Sequence, residues 1–326
     1  MTQTVLFLRK KIEGQNSIEE LAYTLAANIP GLRIVNVPES NRSIMGMVRN
    51  VFFAIRNQGE VNLIFSPSES HLVPFLKGRT IITYHDIGTI LSSPSKYVRW
   101  FRKLTSLTIP LKFMDSVICI SKHTRTELCD LFPAVEKKTS VIYNPYNPLL
   151  RYHPKRFNSD MPMILHIGTA RRKNLLRVIE ALDGIRCRLH IVGKLSEEQA
   201  ESLKSHHIDY SQEMDVDFRR IIELYEQCDI VSFPTLYEGF GMPVIEANAV
   251  GRVVLTSRVT SIPEIAGDAA CFIDPYDVGS IRNGFLRLIN EPELRDRLIN
   301  CGLENVKRFH IDRIVDEYQR VLSGHR

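Results

Sequence analysis

The chain has 326 residues, 44% hydrophobic and 24% charged, a balance that excludes the disordered and fibrous classes and leaves a globular protein. Such a length is long for one domain and comfortable for two, each able to bury its own core. The net charge of +5 is uneven: residues 1–157 carry 21 Lys/Arg against 11 Asp/Glu, a balance of +10, and the remainder carries 21 against 26, a balance of −5. That asymmetry implies a basic first half facing an anionic partner, whether phosphorylated lipid, membrane surface or nucleic acid.

No apolar run approaches the roughly 18 residues of a membrane span. The N-terminus places an apolar strand before its charges, the reverse of a secretory signal. Cys119, Cys129, Cys187, Cys228, Cys271 and Cys301 are scattered, with no CxxC pair and no His at metal spacing. They read as reduced core cysteines of a cytoplasmic protein.

In chain order, short β-branched runs predict strands over Thr4–Leu8, Arg33–Val37, Val61–Phe65, Thr80–Tyr84, Ser116–Ile120 and Ser140–Tyr143. Helical patterns between them cover Ser17–Asn28, Ser95–Phe113 and Lys122–Phe132. Asn144–Asp160, with Pro145, Pro148 and Pro154 among polar residues, predicts a linker. Alternation resumes with strands at Met163–Ile167, Arg188–Val192, Asp229–Phe233 and Val253–Thr256. Helices follow at Asn174–Leu182, Ser196–Ser205, Val216–Gln227 and Pro243–Ala249, and Glu293–Arg308 and Ile311–Leu322 close the chain. Buried strands alternating with helices imply α/β architecture, two doubly wound parallel sheets in series. Ligands then belong at the carboxyl ends of the strands, most naturally in a cleft between the domains. The expected divisions are an N-terminal domain over 1–157, a second domain over 158–308, and a helix at 309–326 packing back on the first.

Two segments carry chemistry. In the first, a strand ends at Phe233 and a loop with Gly239, Phe240 and Gly241 leads through Met242 to Pro243, placed to start a helix. Backbone N–H groups at a helix start bind anions, and glycines let a phosphate come close. Glu238 stands at the loop mouth, and Glu246 projects from the helix one turn on, able to accept bonds from a ribose diol. In the second, Leu165-His-Ile-Gly168 runs into Arg171-Arg172-Lys173-Asn174, cations beside a helix start, which suits a pyrophosphate leaving group.

Together these segments resemble the donor site of glycosyltransferase family 4, a group with the GT-B fold and a retaining mechanism. The E-x7-E pattern stands as Glu238 and Glu246 inside YEGFGMPVIEA, and Ser261-Ile-Pro-Glu-Ile-Ala-Gly-Asp-Ala-Ala270 and Ile273-Asp-Pro275 are similar too. The resemblance covers about 163–322 closely. In the first half, Thr83-Tyr-His-Asp-Ile87 and Val117-Ile-Cys-Ile-Ser-Lys-His-Thr124 match more loosely. Two departures stand out: Gly14, followed by Gln15, is alone where the family has paired glycines, and Asn144-Pro145 replaces Asn-Gly.

The resemblance implies a GT-B protein, two Rossmann-like domains facing across a cleft, that moves a hexose from a UDP- or GDP-sugar to a glycan or lipid-linked acceptor. Bacterial surface polysaccharide or glycolipid synthesis at the inner face of the membrane is the implied setting. Glu246 would hold the ribose, and Arg172 and Lys173 the pyrophosphate, with backbone groups over Gly239–Met242 and Gly168 at the turn. Glu238 and His85 would contact the transferred sugar, and Gly14, Gln15 and Asp86 would lie on the acceptor side. No cofactor and no metal is expected. Asp215-Val-Asp217 could hold a divalent cation but reads better as a helix cap. Lys96-Tyr-Val-Arg-Trp-Phe-Arg-Lys103 mixes cations and aromatics, either to meet anionic lipid or as an amphipathic helix with its aromatics packed inward.

Three other classes compete. A sugar-nucleotide epimerase shares the scaffold but needs no acceptor. A Rossmann dehydrogenase requires a G-x-G-x-x-G after the first strand, which is missing. A nucleic-acid-binding protein would use the basic first half, yet no recognised nucleic-acid module is present, so no nucleic-acid partner is expected.

Overall fold

The computed structural model describes residues 3–10, 17–40, 43–92 and 95–324. The chain forms two compact units, one running to Pro145 and including the helix Ile311–Ser323, the other spanning Tyr146–His310.

The first unit holds β1 (Thr4–Leu8), β2 (Leu32–Asn36), β3 (Val61–Ile64), β4 (Arg79–Tyr84), β5 (Ser116–Cys119) and β6 (Thr139–Val141). They form one parallel sheet in the order β2-β1-β3-β4-β5-β6. Side chains alternate between faces with the two-residue strand period. Val5, Phe7, Ile64, Ile82 and Val117 pack with Ala54, Leu107, Leu111 and Leu128 on one face. Leu6, Leu8, Leu63, Ile81 and Ile118 pack on the other with Leu21, Leu25, Ile314 and Tyr318. The last helix of the chain is therefore part of the first unit's core.

The second unit holds β7 (Met163–Ile167), β8 (Arg188–Val192), β9 (Tyr210–Glu213), β10 (Ile230–Phe233), β11 (Val253–Ser257) and β12 (Cys271–Ile273), in the order β12-β11-β10-β7-β8-β9, all parallel. Strand order reverses between β7 and β10. The loops leaving those two strands diverge to opposite faces and open a crevice at their carboxyl ends, where open α/β sheets bind ligands.

Several elements depart from the sequence pattern. The helix predicted over Ser95–Phe113 breaks into Lys96–Lys103, a π-turn at Leu104–Thr108 and a short helix Pro110–Phe113. Ile109 N–H bonds back to the Leu104 carbonyl at 3.0 Å, and Pro110 has no N–H with which to continue an α ladder. The helix predicted from Val216 starts at Phe218, because the Asp217 carboxylate accepts the Arg220 N–H at 2.8 Å and caps it. Helices Ile44–Asn57 and Val278–Asn290, the 3-10 stretch Pro67–Phe75, and strands β9 and β12 have no counterpart in the sequence reading.

The segment read as a linker is bonded to the second unit for most of its length. Lys155 pairs with the buried Asp229, whose carboxylate also accepts the Asn158 and Met163 N–H groups at 3.1 and 2.8 Å. Arg252 donates to the His153 carbonyl at 2.9 Å. These bonds explain why the second unit begins at Tyr146, earlier than the linker's proline spacing suggests.

Candidate donor site of the second unit

The turn after β7 is built around two backbone positions. Gly168 has φ +91, and a Cβ there would stand 3.1 Å from the Lys173 side chain, so glycine is needed both for the turn and for the lysine lying across it. Asn174 takes the left-handed conformation at φ 66, which asparagine tolerates better than most residues. Its buried amide donates to the carbonyls of Pro234 and Pro275 at 3.1 and 2.7 Å, and its Oδ1 accepts from Arg177 at 2.9 Å. One side chain thus pins the loops after β7, β10 and β12 together.

The loop after β10 is fixed by hydroxyls. Thr235 Oγ1 lies 3.0 Å from the Arg172 carbonyl and 3.0 Å from Glu238 Oε1. Ser261 Oγ reaches the carbonyls of Glu238 and Phe240 at 2.9 and 2.8 Å, and Thr260 Oγ1 accepts the Glu238 N–H at 3.1 Å. Phe240 is buried edge-on against Phe309, with ring centroids 5.7 Å apart. Gly241, at φ +118, occupies the cap position of the helix Met242–Val250, which has Pro243 in its first turn and no side-chain cap. Pro243 has no N–H to leave unsatisfied, and the Val244 N–H bonds the Gly241 carbonyl at 3.0 Å.

Charge converges on one oxygen. Glu238 Oε1 lies 2.7 Å from Lys173 Nζ and 2.8 Å from an Arg172 guanidinium nitrogen. Lys173 Nζ also stands 4.5 Å from the centre of the Phe233 ring. Burial pulls the Lys173 pKa below the usual lysine range, and Glu238 works against that shift. Glu246, half-buried, accepts the Tyr225 hydroxyl on Oε2 at 2.7 Å. Its pKa is raised by burial, opposed by the Tyr225 bond and by the charge of Lys173.

Arg172, Lys173, Glu238 and Glu246 thus stand on the two loop-and-helix segments that leave the neighbouring strands β7 and β10. Gly168, Gly239, Phe240, Gly241 and Met242 form the backbone between them. Asn174, Tyr225, Thr235 and Thr260 were not singled out in sequence. Tyr225 gives no local signal because it reaches Glu246 from a different helix. Asn174 and Ser261 lie inside the motifs that carried the family resemblance.

In the first unit, His85 follows β4. Its Nε2 contacts the Phe65 carbonyl at 2.7 Å and its ring stands edge-on to Phe65. Burial lowers its pKa, with the Phe65 carbonyl and Asp86 opposing. The carbonyl contact assigns the proton to Nε2 and leaves Nδ1 as an acceptor. Arg9, at the end of β1, pairs with the buried Glu19 at 2.8 Å. Gly14 and Gln15 lie outside the described residues.

Comparison with known proteins decides the family. Residues 152–304 match the glycosyl transferases group 1 family and residues 18–148 match Glycosyltransferase Family 4. The chain belongs to glycosyltransferase family 4. The glycosyltransferase is 28% identical over 266 residues to the O-antigen chain mannosyltransferase B of Escherichia coli, covering 73% of this chain and 68% of that one. It is 24% identical over 254 residues to the O-antigen chain mannosyltransferase RfbU of Salmonella typhimurium, covering 74% and 68%. Among solved structures, sucrose-phosphate synthase from Thermosynechococcus elongatus matches with a TM-score of 0.80 at 19% identity, covering 98% of both chains. Anabaena HepE in complex with UDP-glucose matches with a TM-score of 0.80 at 15% identity, covering 98% and 99%. These likenesses give the fold of the glycosyltransferase as GT-B. Among the described residues no helix is long and apolar enough to cross a membrane.

Proposed function

We propose that this glycosyltransferase moves a hexose from a nucleotide-diphosphate-sugar, UDP- or GDP-linked, to a hydroxyl of a glycan or lipid-linked acceptor, with retention of anomeric configuration. The setting is bacterial surface polysaccharide or glycolipid synthesis, at the inner face of the membrane. The mannosyltransferase names of the E. coli and Salmonella relatives support that setting, and the UDP-glucose bound by HepE supports the donor class.

The observation that carries the reading is the convergence of Arg172 and Lys173 on Glu238 beside the Gly241 helix start. Two cations beside the positive end of a helix are what a departing diphosphate needs, because negative charge accumulates on it as the glycosidic C–O bond breaks. Glu246, oriented by Tyr225, accepts the ribose hydroxyls. Donor binding draws Arg172 and Lys173 toward the phosphates and releases Glu238 to the sugar, whose anomeric carbon becomes oxocarbenium-like. His85 accepts a sugar hydroxyl on Nδ1. The acceptor oxygen then bonds the anomeric carbon on the face the diphosphate leaves, and its proton passes to a phosphate oxygen. The two cations supply the charge a metal would otherwise bring, so the reaction is metal-independent.

The test is a thermal-shift screen of UDP-, GDP-, ADP- and dTDP-sugars on the wild type, Glu246→Ala and Lys173→Ala. Binding at about 100 times the dissociation constant stabilises by about 2.7 kcal/mol, enough to move a melting transition by several degrees. One nucleotide class should stabilise the wild type and neither variant. Equal responses in all three proteins would remove the donor-site assignment. Turnover of that nucleotide-sugar without an acceptor would favour an epimerase instead.

A further inference from the structure

The helix Ile44–Asn57 is amphipathic in the wrong sense for a core helix. Its buried positions are Gly46, Asn50 and Ala54, whereas Ile44, Met45, Val48, Phe52 and Ile55 form an exposed stripe. The buried side anchors the helix: Asn50 exchanges two bonds of 3.0 Å with the Glu39 backbone. Large apolar side chains are left on the outside. Phe52 is 60% exposed and Ile44 73%.

The helix Lys96–Lys103 repeats the pattern without any buried residue. Tyr97, Val98, Trp100 and Phe101 are all exposed, with Trp100 at 64%. The aromatics do not pack inward as an ordinary amphipathic helix would require. The helix Ile44–Asn57 and the stretch Leu104–Phe113, which follows directly on Lys96–Lys103, pack on the same face of the first sheet, where Ala54, Leu107 and Leu111 share one core. The stretch Pro67–Phe75 lies between Ile44–Asn57 and the π-turn Leu104–Thr108, with Ser70 Oγ 3.2 Å from the Thr105 carbonyl. The exposed Phe75 and Phe113 extend the apolar surface.

Charge along 44–57 and 96–113 of this layer has one sign, with Glu39 beside the first stretch pairing Arg49 at 3.2 Å. Arg49, Arg56, Lys96, Arg99, Arg102, Lys103 and Lys112 lie within 44–57 and 96–113, and neither stretch contains Asp or Glu. We propose that the outer surface of this layer docks the protein on an anionic lipid bilayer, both helices lying in the headgroup plane. The cations meet lipid phosphates while Ile44, Val48, Phe52, Trp100 and Phe101 enter the acyl boundary. A nucleic acid would satisfy the cations but leave an aliphatic stripe in water, so lipid fits both halves of the surface. The proposal goes beyond glycosyl transfer and does not depend on it, because no residue of this face belongs to the donor loops.

Trp100 is the sole tryptophan of the chain and reports on the face directly. The full-length protein is mixed with phosphatidylcholine vesicles, with or without phosphatidylglycerol, and Trp100 emission is followed. Anionic vesicles should shift it to the blue, and brominated acyl chains should quench it. Raising salt should weaken the effect. Phe52→Glu with Ile55→Glu should lower partitioning by at least about tenfold, and Arg99→Gln or Arg102→Gln by roughly fivefold each. Far-UV circular dichroism confirms that each variant is folded. No emission change with anionic vesicles would overturn the proposal, as would an equal change with neutral ones or wild-type binding by the Phe52/Ile55 variant. A blue shift that follows protein concentration without lipid would identify a self-association face instead. A failed nucleotide screen with vesicle binding intact would remove the donor reading and leave this one standing.

Discussion

A single oxygen of Glu238 pairs with both Arg172 and Lys173, so the buried lysine has an opposite charge beside it while the trio keeps one net positive charge. Glu246 is held differently. Its partner is the neutral Tyr225 hydroxyl, which fixes one carboxylate oxygen at 2.7 Å and lowers a pKa that burial raises. On the proposed reading Tyr225 positions Glu246 for donor binding. Tyr225→Phe keeps the ring in its buried site and removes only the hydroxyl. A hydrogen bond to a charged group contributes about 1.5–3 kcal/mol, and part of that loss should weaken nucleotide binding by about tenfold while kcat changes little. The sign in pH follows. Removing a bond that favours the carboxylate raises the Glu246 pKa further, so the acid limb of nucleotide binding moves to higher pH. Calorimetric titration across pH reads both effects, and an unchanged acid limb with weakened binding would show that Tyr225 acts through packing alone.

At the scale of elements, the helix Met242–Val250 is bounded by two left-handed glycines, which allows function and stability to be separated. A Cβ on Gly241 would stand 2.7 Å from Ile262 Cδ1, and one on Gly251 would stand 2.6 Å from the Tyr152 ring. Both substitutions combine a positive φ with a close contact, and each should cost about 1–3 kcal/mol of second-unit stability. Gly241→Ala, at the start proposed to face the diphosphate, should also abolish the nucleotide-dependent shift. Gly251→Ala, at the far end, should keep it. Chemical denaturation with and without nucleotide makes the comparison, and loss of the shift in both would reduce Gly241 to a structural role. Gly241 was legible in sequence because glycine followed by proline punctuates the boundary between strand and helix. Glu238 and Glu246 were legible for the same reason, their spacing being local. The pairing of Glu238 with Lys173 was not, since it joins loops from strands distant in sequence. Strand β9 was missed because it lies at the sheet edge, half-buried, with Ser211 and Gln212 blunting its pattern. The helix Ile44–Asn57 has apolar side chains on both sides, Val51, Phe53 and Ala54 toward the core and Ile44, Val48, Phe52 and Ile55 outward, which blurs the stripe by which helices are read.

On the scale of the whole molecule, chain order and structural order part company at the C-terminus. The helix Ile311–Ser323 follows the entire second unit, yet Ile311, Ile314, Val315, Tyr318 and Leu322 complete the core built on Leu6, Leu8, Leu21 and Leu25. Arg79 at the start of β4 also donates to the Leu322 carbonyl at 2.9 Å. Burying each such side chain stabilises by about 1.5–3 kcal/mol, so the helix contributes an amount comparable with the roughly 5–15 kcal/mol of a whole domain. The residues proposed to bind the donor nucleotide lie between Gly168 and Glu246, within the second unit and its own two cores. A chain ending at His310 should therefore lose the first unit while keeping the second. Limited proteolysis should digest residues up to about Pro145 and leave a resistant fragment beginning near Tyr146. That fragment should still be stabilised by the nucleotide class found in the screen, with no transfer to any acceptor. Milder Tyr318→Ala, at the centre of the same interface, should lower the first unit's melting transition and leave the nucleotide-dependent one in place. Loss of nucleotide stabilisation on truncation would mean that the donor site draws its stability from residues beyond the second unit, and the assignment of its cations and carboxylates to one self-contained fold would fail.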